Sequence, residues 1–161
     1  MPSLYEPFGM ANEFYLNGTV GIGRATGGIV QQIVPIRRVA CFSHAAQRST
    51  SRWHSSSAPP TGLLFRERVH SAAAVHDWRA MNAANYRLGG ASPDRVEQRN
   101  GYGLFRAMSD ELRISLEDAI HLFQNEPEQY YAMLTEGIAH VQGAFSWQRA
   151  AHEYVRTVAL T

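Results

Sequence analysis

Asn17-Gly18-Thr19-Val20-Gly21-Ile22-Gly23-Arg24-Ala25-Thr26-Gly27-Gly28-Ile29-Val30 decides how this chain is read. Asn17-Gly18 is a helix stop, because glycine enters the left-handed backbone region after a last turn at little steric cost. The residues before it, Gly9 to Leu16, fit a short helix. Thr19 to Ile22 supplies β-branched residues suited to a strand, and Thr26-Gly27-Gly28 then makes a turn. Ile29 to Ile36 is apolar and β-branched except at Gln31 and Gln32. It is so short that periodicity does not separate strand from helix. Helix, strand and glycine turn in this order predict α/β construction.

Farther along, the composition changes twice. From Ser43 to Thr61 the chain is rich in Ser, Arg, His and Pro. It has little apolar surface to bury, so an exposed insert over 43–61 is expected. Gly62-Leu63-Leu64-Phe65 reads as a short buried strand. Beyond it the pattern is helical. Ser71 caps a predicted helix carrying Val75, Trp78, Met81 and Leu88, ended by Gly89-Gly90. Ala91 to Tyr102 is polar and turn-rich. Leu104, Met108, Leu112, Leu116 and Ile120, with Phe105, Ala119 and Phe123, predict an amphipathic helix. Asn125-Glu126-Pro127 starts another, with Tyr130, Tyr131, Met133, Leu134, Ile138 and Val141, ending at Gly143. Ser146 caps a last one bearing Trp147, Ala151, Tyr154, Val155 and Val158. The aromatic residues at these spacings are expected in core or inter-helix packing, and no internal repeat is visible.

Composition bounds the function class. The 161 residues support one domain with a single core, 45% hydrophobic and 18% charged. A formal net charge of +1 does not call for nucleic acid or an anionic membrane as partner. Cys41 stands alone, which excludes an internal disulfide and points to a reducing compartment. No apolar run approaches the roughly 18 residues of a membrane span. Met1-Pro2-Ser3-Leu4-Tyr5-Glu6 lacks the pattern of a secretory signal, so a cytoplasmic location is expected.

The chemistry-bearing residues lie in the first thirty positions. Gly9, where loop becomes helix, lets backbone N–H groups approach a ligand at the positive end of a helix dipole, which suits phosphate. Glu6 would repel phosphate but accepts hydrogen bonds from sugar hydroxyls. Thr26-Gly27-Gly28 offers further backbone donors. On these features alone, a plain strand-turn-helix joint with an exposed glutamate explains the segment better.

Residue order adds to this. Pro2-Ser3-Leu4-Tyr5-Glu6-Pro7-Phe8-Gly9-Met10 resembles the PS-x-x-EP-x-G-L segment of glycogen and starch synthases. Asn17-Gly18-Thr19-Val20 followed by Arg24-Ala25-Thr26-Gly27-Gly28-Ile29 resembles their YGT-x-P-x-V-R-x-TGGL. Thr61-Gly62-Leu63-Leu64-Phe65 is similar to their later GTG strand, and Phe145-Ser146-Trp147-Gln148-Arg149-Ala150-Ala151-x-x-Tyr154 to their terminal FSW helix. The resemblance implies an α/β fold. More specifically, it implies a partial Rossmann-like carboxyl-terminal domain of a GT-B glycosyltransferase with a helical carboxyl-terminal tail. Residues 1–161 would then form a single partial nucleotide-sugar-binding domain. The implied reaction moves glucose from ADP-glucose or UDP-glucose to an α-1,4-glucan with retention, and needs no cofactor or metal.

By the same resemblance Glu6 is catalytic, contacting the transferred sugar. Gly9, Met10, Glu13, Thr26, Gly27 and Gly28 bind the donor, and the last helix packs toward a first domain that holds the glucan. No membrane or nucleic-acid partner is implied.

This sequence departs from the family pattern in three places. The span from Glu6 to Thr26 is one residue short, and six residues rather than seven separate Glu6 from Glu13. For Glu13 a solvated helix glutamate is the alternative. The connection from Pro35 to Gly103 is longer than usual. The family's phosphate-binding arginine and lysine precede the Glu-Pro motif, outside these residues, as does the acceptor domain. Met1 is therefore expected to be an interior methionine of a longer protein. A non-catalytic remnant, or a module that binds nucleotide or glucan without transfer, is the alternative function.

Other patterns carry less. Gly21-x-Gly23-x-x-x-Gly27 approximates a dinucleotide fingerprint, but its last glycine is one place late and no acidic residue follows at the required distance. The seven histidines lack zinc-ligand spacing. Arg37, Arg38, Arg48, Arg52, Arg66 and Arg68 make the middle locally basic, as a solvated loop or a polyanion contact would be.

Overall fold

The computed structural model describes residues 10–36, 54–55, 57–67, 76–77, 79–80, 97–98 and 100–159. In chain order the elements are α1 Met10–Leu16, β1 Gly21–Arg24, α2 Ile29–Gln32, β2 Gly62–Phe65, α3 Gly103–Asn125, α4 Pro127–Ala144 and α5 Trp147–Val158. The described residues are mostly helical around a small parallel sheet, a mixed α/β arrangement. No helix among them is long and apolar enough to cross a membrane.

α1 stops as its sequence dictates. Gly18 has φ of 71°, its N–H donates to the Tyr15 carbonyl at 3.0 Å, and the Thr19 N–H reaches back to Phe14 at 2.8 Å. These two bonds satisfy the last carbonyls of the helix. The strand that follows, Gly21–Arg24, lies two residues later than the β-branched run Thr19–Ile22. The Gly18–Thr19 turn occupies the intervening space.

β1 and β2 pair in parallel with Gly21 opposite Gly62 and Arg24 opposite Phe65. After α2 the chain becomes extended, and Pro35 bridges Gly62 in parallel. The ambiguous Ile29–Ile36 run is thus one turn of helix and then a strand-like segment. Side chains alternate across β2. Leu64 joins Tyr15, Ala25, Ile29, Val30, Ile33 and Val141. Leu63 and Phe65 join Val20, Ile36, Leu122 and Met133 on the other face. With helices on both faces, a strand of apolar residues at every position is the stable solution.

α3 departs from its sequence pattern. Leu104 and Met108 are buried, but so are Glu111, Ser115 and Leu122, while Leu116, Ile120 and Phe123 are exposed. A residue recurring every fourth position advances past a full turn by about 40° each time, so that stripe winds off the face that meets the sheet. The start of α3 is held from a distance: Asp77 Oδ2 accepts the Leu104 N–H at 2.9 Å, and this bond, ahead of its other influences, lowers the Asp77 pKa. Trp147 corrects a second expectation, being 90% exposed rather than packed.

The predicted helix from Ser71 to Leu88 and the stretch 43–53 lie largely outside the described residues. Of the expected insert, the described end packs on the body. His54 Nε2 lies 2.7 Å from the Val30 carbonyl, and Thr61 is buried.

Candidate functional site

The parallel register brings the ends of β1 and β2 to one edge. Ala25, Thr26, Gly27 and Gly28 leave from one strand there, and Arg66 and Glu67 from the other. Ligands of open α/β sheets bind beyond the carboxyl ends of parallel strands. The edge is tied together by backbone first: the Ala25 N–H donates to the Phe65 carbonyl at 2.8 Å and the Thr26 N–H to the Arg24 carbonyl at 2.7 Å. Gly27 then has φ of 53°, a left-handed conformation that a side chain would strain. Thr26 and Gly27 are half-buried and Gly28 is buried.

Beneath this turn is a buried ion pair. Alternation along β1 places Arg24 on the same face as Ile22, and Glu67 continues the face of Leu63 and Phe65. Arg24 Nε donates to Glu67 Oε2 at 2.9 Å and Nη2 to Oε1 at 2.5 Å, both side chains being 4% exposed. Burial by itself would raise the Glu67 carboxyl. The two Arg24 hydrogen bonds and its charge, a backbone N–H and the more distant Arg66 outweigh that and hold it below the usual value. Arg66 donates through Nη1 to the Ala25 carbonyl. Its guanidinium is lowered from its ordinary value by partial burial and by the Arg24 charge, against an opposing effect of Glu67. Arg24 and Arg66 thus both lie against the Glu67 carboxylate at the strand ends, next to the glycine turn.

The sequence-derived residues fall in different places. Thr26, Gly27 and Gly28 are together at this edge. Glu6 and Gly9 lie outside the described residues, and Met10 is the first residue of α1. Glu13 is exposed in the first turn of α1. It lines a groove of about 730 Å³ with Leu16, Phe145, Trp147 and Arg149, and the lining includes none of the glycine-turn residues. Gly21 and Gly23 of the approximate dinucleotide fingerprint are inside β1. A Cβ on Gly23 would come within 2.8 Å of Ile29, so this glycine serves the close seating of α2.

Sequence reading did not single out Glu67 or its pairing with Arg24, which spans 43 positions. The available signal was an arginine in phase with the apolar face of a short strand. It also did not single out a smaller cleft of about 260 Å³ lined by His54, Ser55, Thr61, Glu136 and His140. The two imidazoles meet edge-on at 6.1 Å, and His140 Nε2 is 3.4 Å from the Gln31 carbonyl. Among the described residues no three His, Cys, Asp or Glu side chains are grouped to hold a metal ion.

Compared with family models, curated proteins and solved structures, the chain gives no match.

Proposed function

We propose that this chain forms the donor side of a retaining glycosyltransferase that moves glucose from ADP-glucose or UDP-glucose to an α-1,4-glucan. It would do so as part of a Rossmann-like carboxyl-terminal domain of GT-B type. The observation that carries this reading is the order of the four synthase-like segments, with Thr26-Gly27-Gly28 at the carboxyl end of a parallel strand. In this reading Glu6 accepts hydrogen bonds from the sugar hydroxyls, while backbone N–H groups at Gly9 and Met10 meet the diphosphate. Thr26, Gly27 and Gly28 line the donor pocket over the Arg24–Glu67 pair. Catalysis is electrostatic: fixed donors stabilise the negative charge that grows on the departing diphosphate as the glucosyl carbon becomes cationic. The acceptor glucan is held by a separate domain.

Titration calorimetry of the full chain with ADP-glucose and UDP-glucose tests the reading. One of the two should bind in a saturable isotherm. No heat with either donor would remove the proposal. A glucosyl-transfer assay with an α-glucan then separates the transferase from a module that binds without turnover.

A further inference from the structure

The carboxyl ends of β1 and β2 carry more positive than negative charge. Among the described residues there, Arg24 and Arg66 face a single carboxylate, that of Glu67. Arg24 engages both of its oxygens, through Nε and Nη2, and both partners are 4% exposed. That is a closed bidentate pair. Arg66 comes second: its Nε is 3.7 Å from Glu67 Oε1, beyond hydrogen-bond reach, and its side chain remains 34% exposed. Partial burial and the Arg24 charge lower the Arg66 pKa despite the opposing Glu67, so the guanidinium is under-compensated where it stands. An anion arriving at this edge relieves that deficit.

Position turns the excess charge into a candidate contact. Arg66 Nη1 donates to the carbonyl of Ala25, the residue immediately before Thr26-Gly27-Gly28. The Ala25 N–H in turn donates to the Phe65 carbonyl at 2.8 Å, so the two strand ends are tied to each other. The guanidinium of one strand is thereby tethered beside the glycine turn of the other. A fork held at one nitrogen loses less freedom on binding than a swinging side chain, and its planar donors match phosphate oxygens. Gly27, with φ of 53°, and Gly28 carry no side chain, which leaves the main chain open to a bulky anion. The carboxyl end of parallel strands is also where ligands of open α/β sheets bind.

We infer that Arg66 binds a diphosphate at this edge; its assignment to the diphosphate of a nucleotide sugar rests on the donor reading above. Isothermal titration of the full chain with inorganic pyrophosphate at low salt, compared with Arg66→Gln and Arg149→Gln, tests it. Both variants remove one positive charge, and Arg149 lies in α5, away from this edge. The wild type and Arg149→Gln should bind alike, and Arg66→Gln at least about tenfold more weakly. A second measurement needs no substitution. In the wild type, pyrophosphate should slow the modification of Arg66 by phenylglyoxal, read by mass spectrometry, and leave that of Arg149 unchanged. A wild type that does not bind pyrophosphate, equal weakening by Arg149→Gln, or modification of Arg66 indifferent to pyrophosphate overturns the inference. Pyrophosphate binding that needs Arg66, without binding of ADP-glucose or UDP-glucose, keeps this inference and removes the donor reading. Donor binding that Arg66→Gln leaves intact does the reverse.

Discussion

The Arg24–Glu67 pair and Tyr15 are buried polar groups whose hydrogen bonds give each a signed consequence. Removing one member of a buried ion pair leaves the other charged and uncompensated, which costs far more than replacing both. Glu67→Ala should therefore lower stability by about 3–5 kcal/mol, and Arg24→Met with Glu67→Leu should recover most of it. Urea denaturation of the wild type and these two variants measures both. Because the folded Glu67 carboxyl is held below its ordinary value, its contribution is present above that value. It is lost as pH falls through the folded pKa.

Tyr15 behaves in the opposite sense. Its hydroxyl donates to the Thr61 carbonyl at 3.0 Å, and burial pushes its pKa up to about 12, partly offset by the Thr61 side chain. The folded state thus favours the neutral phenol. Stability is fully present below the unfolded value of 10.0 and is lost as pH rises toward about 12. That alkaline loss, on the order of 2 kcal/mol, should be absent from the stability profile of Tyr15→Phe. The variant should itself be less stable at neutral pH by about 1–2 kcal/mol, since the buried Thr61 carbonyl loses a donor.

Tyr15 also sets how α4 seats against α1. A Cβ on Gly137 would stand 2.2 Å from the Tyr15 ring, whereas one on Gly143 meets nothing within 4 Å. Both glycines are in α4, where alanine is the better helix former by about 0.8–1 kcal/mol. At Gly137 overpacking of about 1–3 kcal/mol outweighs that gain, so Gly137→Ala should destabilise and Gly143→Ala should stabilise slightly. Thermal melts of the two, side by side, decide the sign. The elements themselves were legible where local chemistry fixes them: the Gly18 stop, the Ser146 cap, the Pro127 start and the apolar β2. The face of α3 was not, because leucines every fourth residue follow the helix and the sheet does not. The Asp77 cap, 27 positions from Leu104, leaves no local trace. Of the candidate site, the glycine turn could be read from Gly27-Gly28, but the ion pair beneath it depends on a pairing between distant strands.

These elements do not contribute alike to the folded unit. Leu134 of α4 packs against both apolar clusters, and Val141 and Met133 of the same helix enter one each, so α4 joins the two faces of the sheet. Loss of either cluster should therefore unfold the other, giving one cooperative transition. α5 stands outside that unit: its stripe is exposed, and its internal bonds are those of a surface helix, where an exposed ion pair such as Arg149–Glu153 adds little. The sequence pattern placed the terminal helix but not its environment, because periodicity reports an apolar face and says nothing of what covers it. A chain ending at Ser146 should then melt within about 0.5 kcal/mol of the intact protein at low concentration. Urea midpoints of the intact and shortened chains check this. A truncated chain much less stable than the intact protein would place α5 inside the cooperative unit, contrary to its exposure.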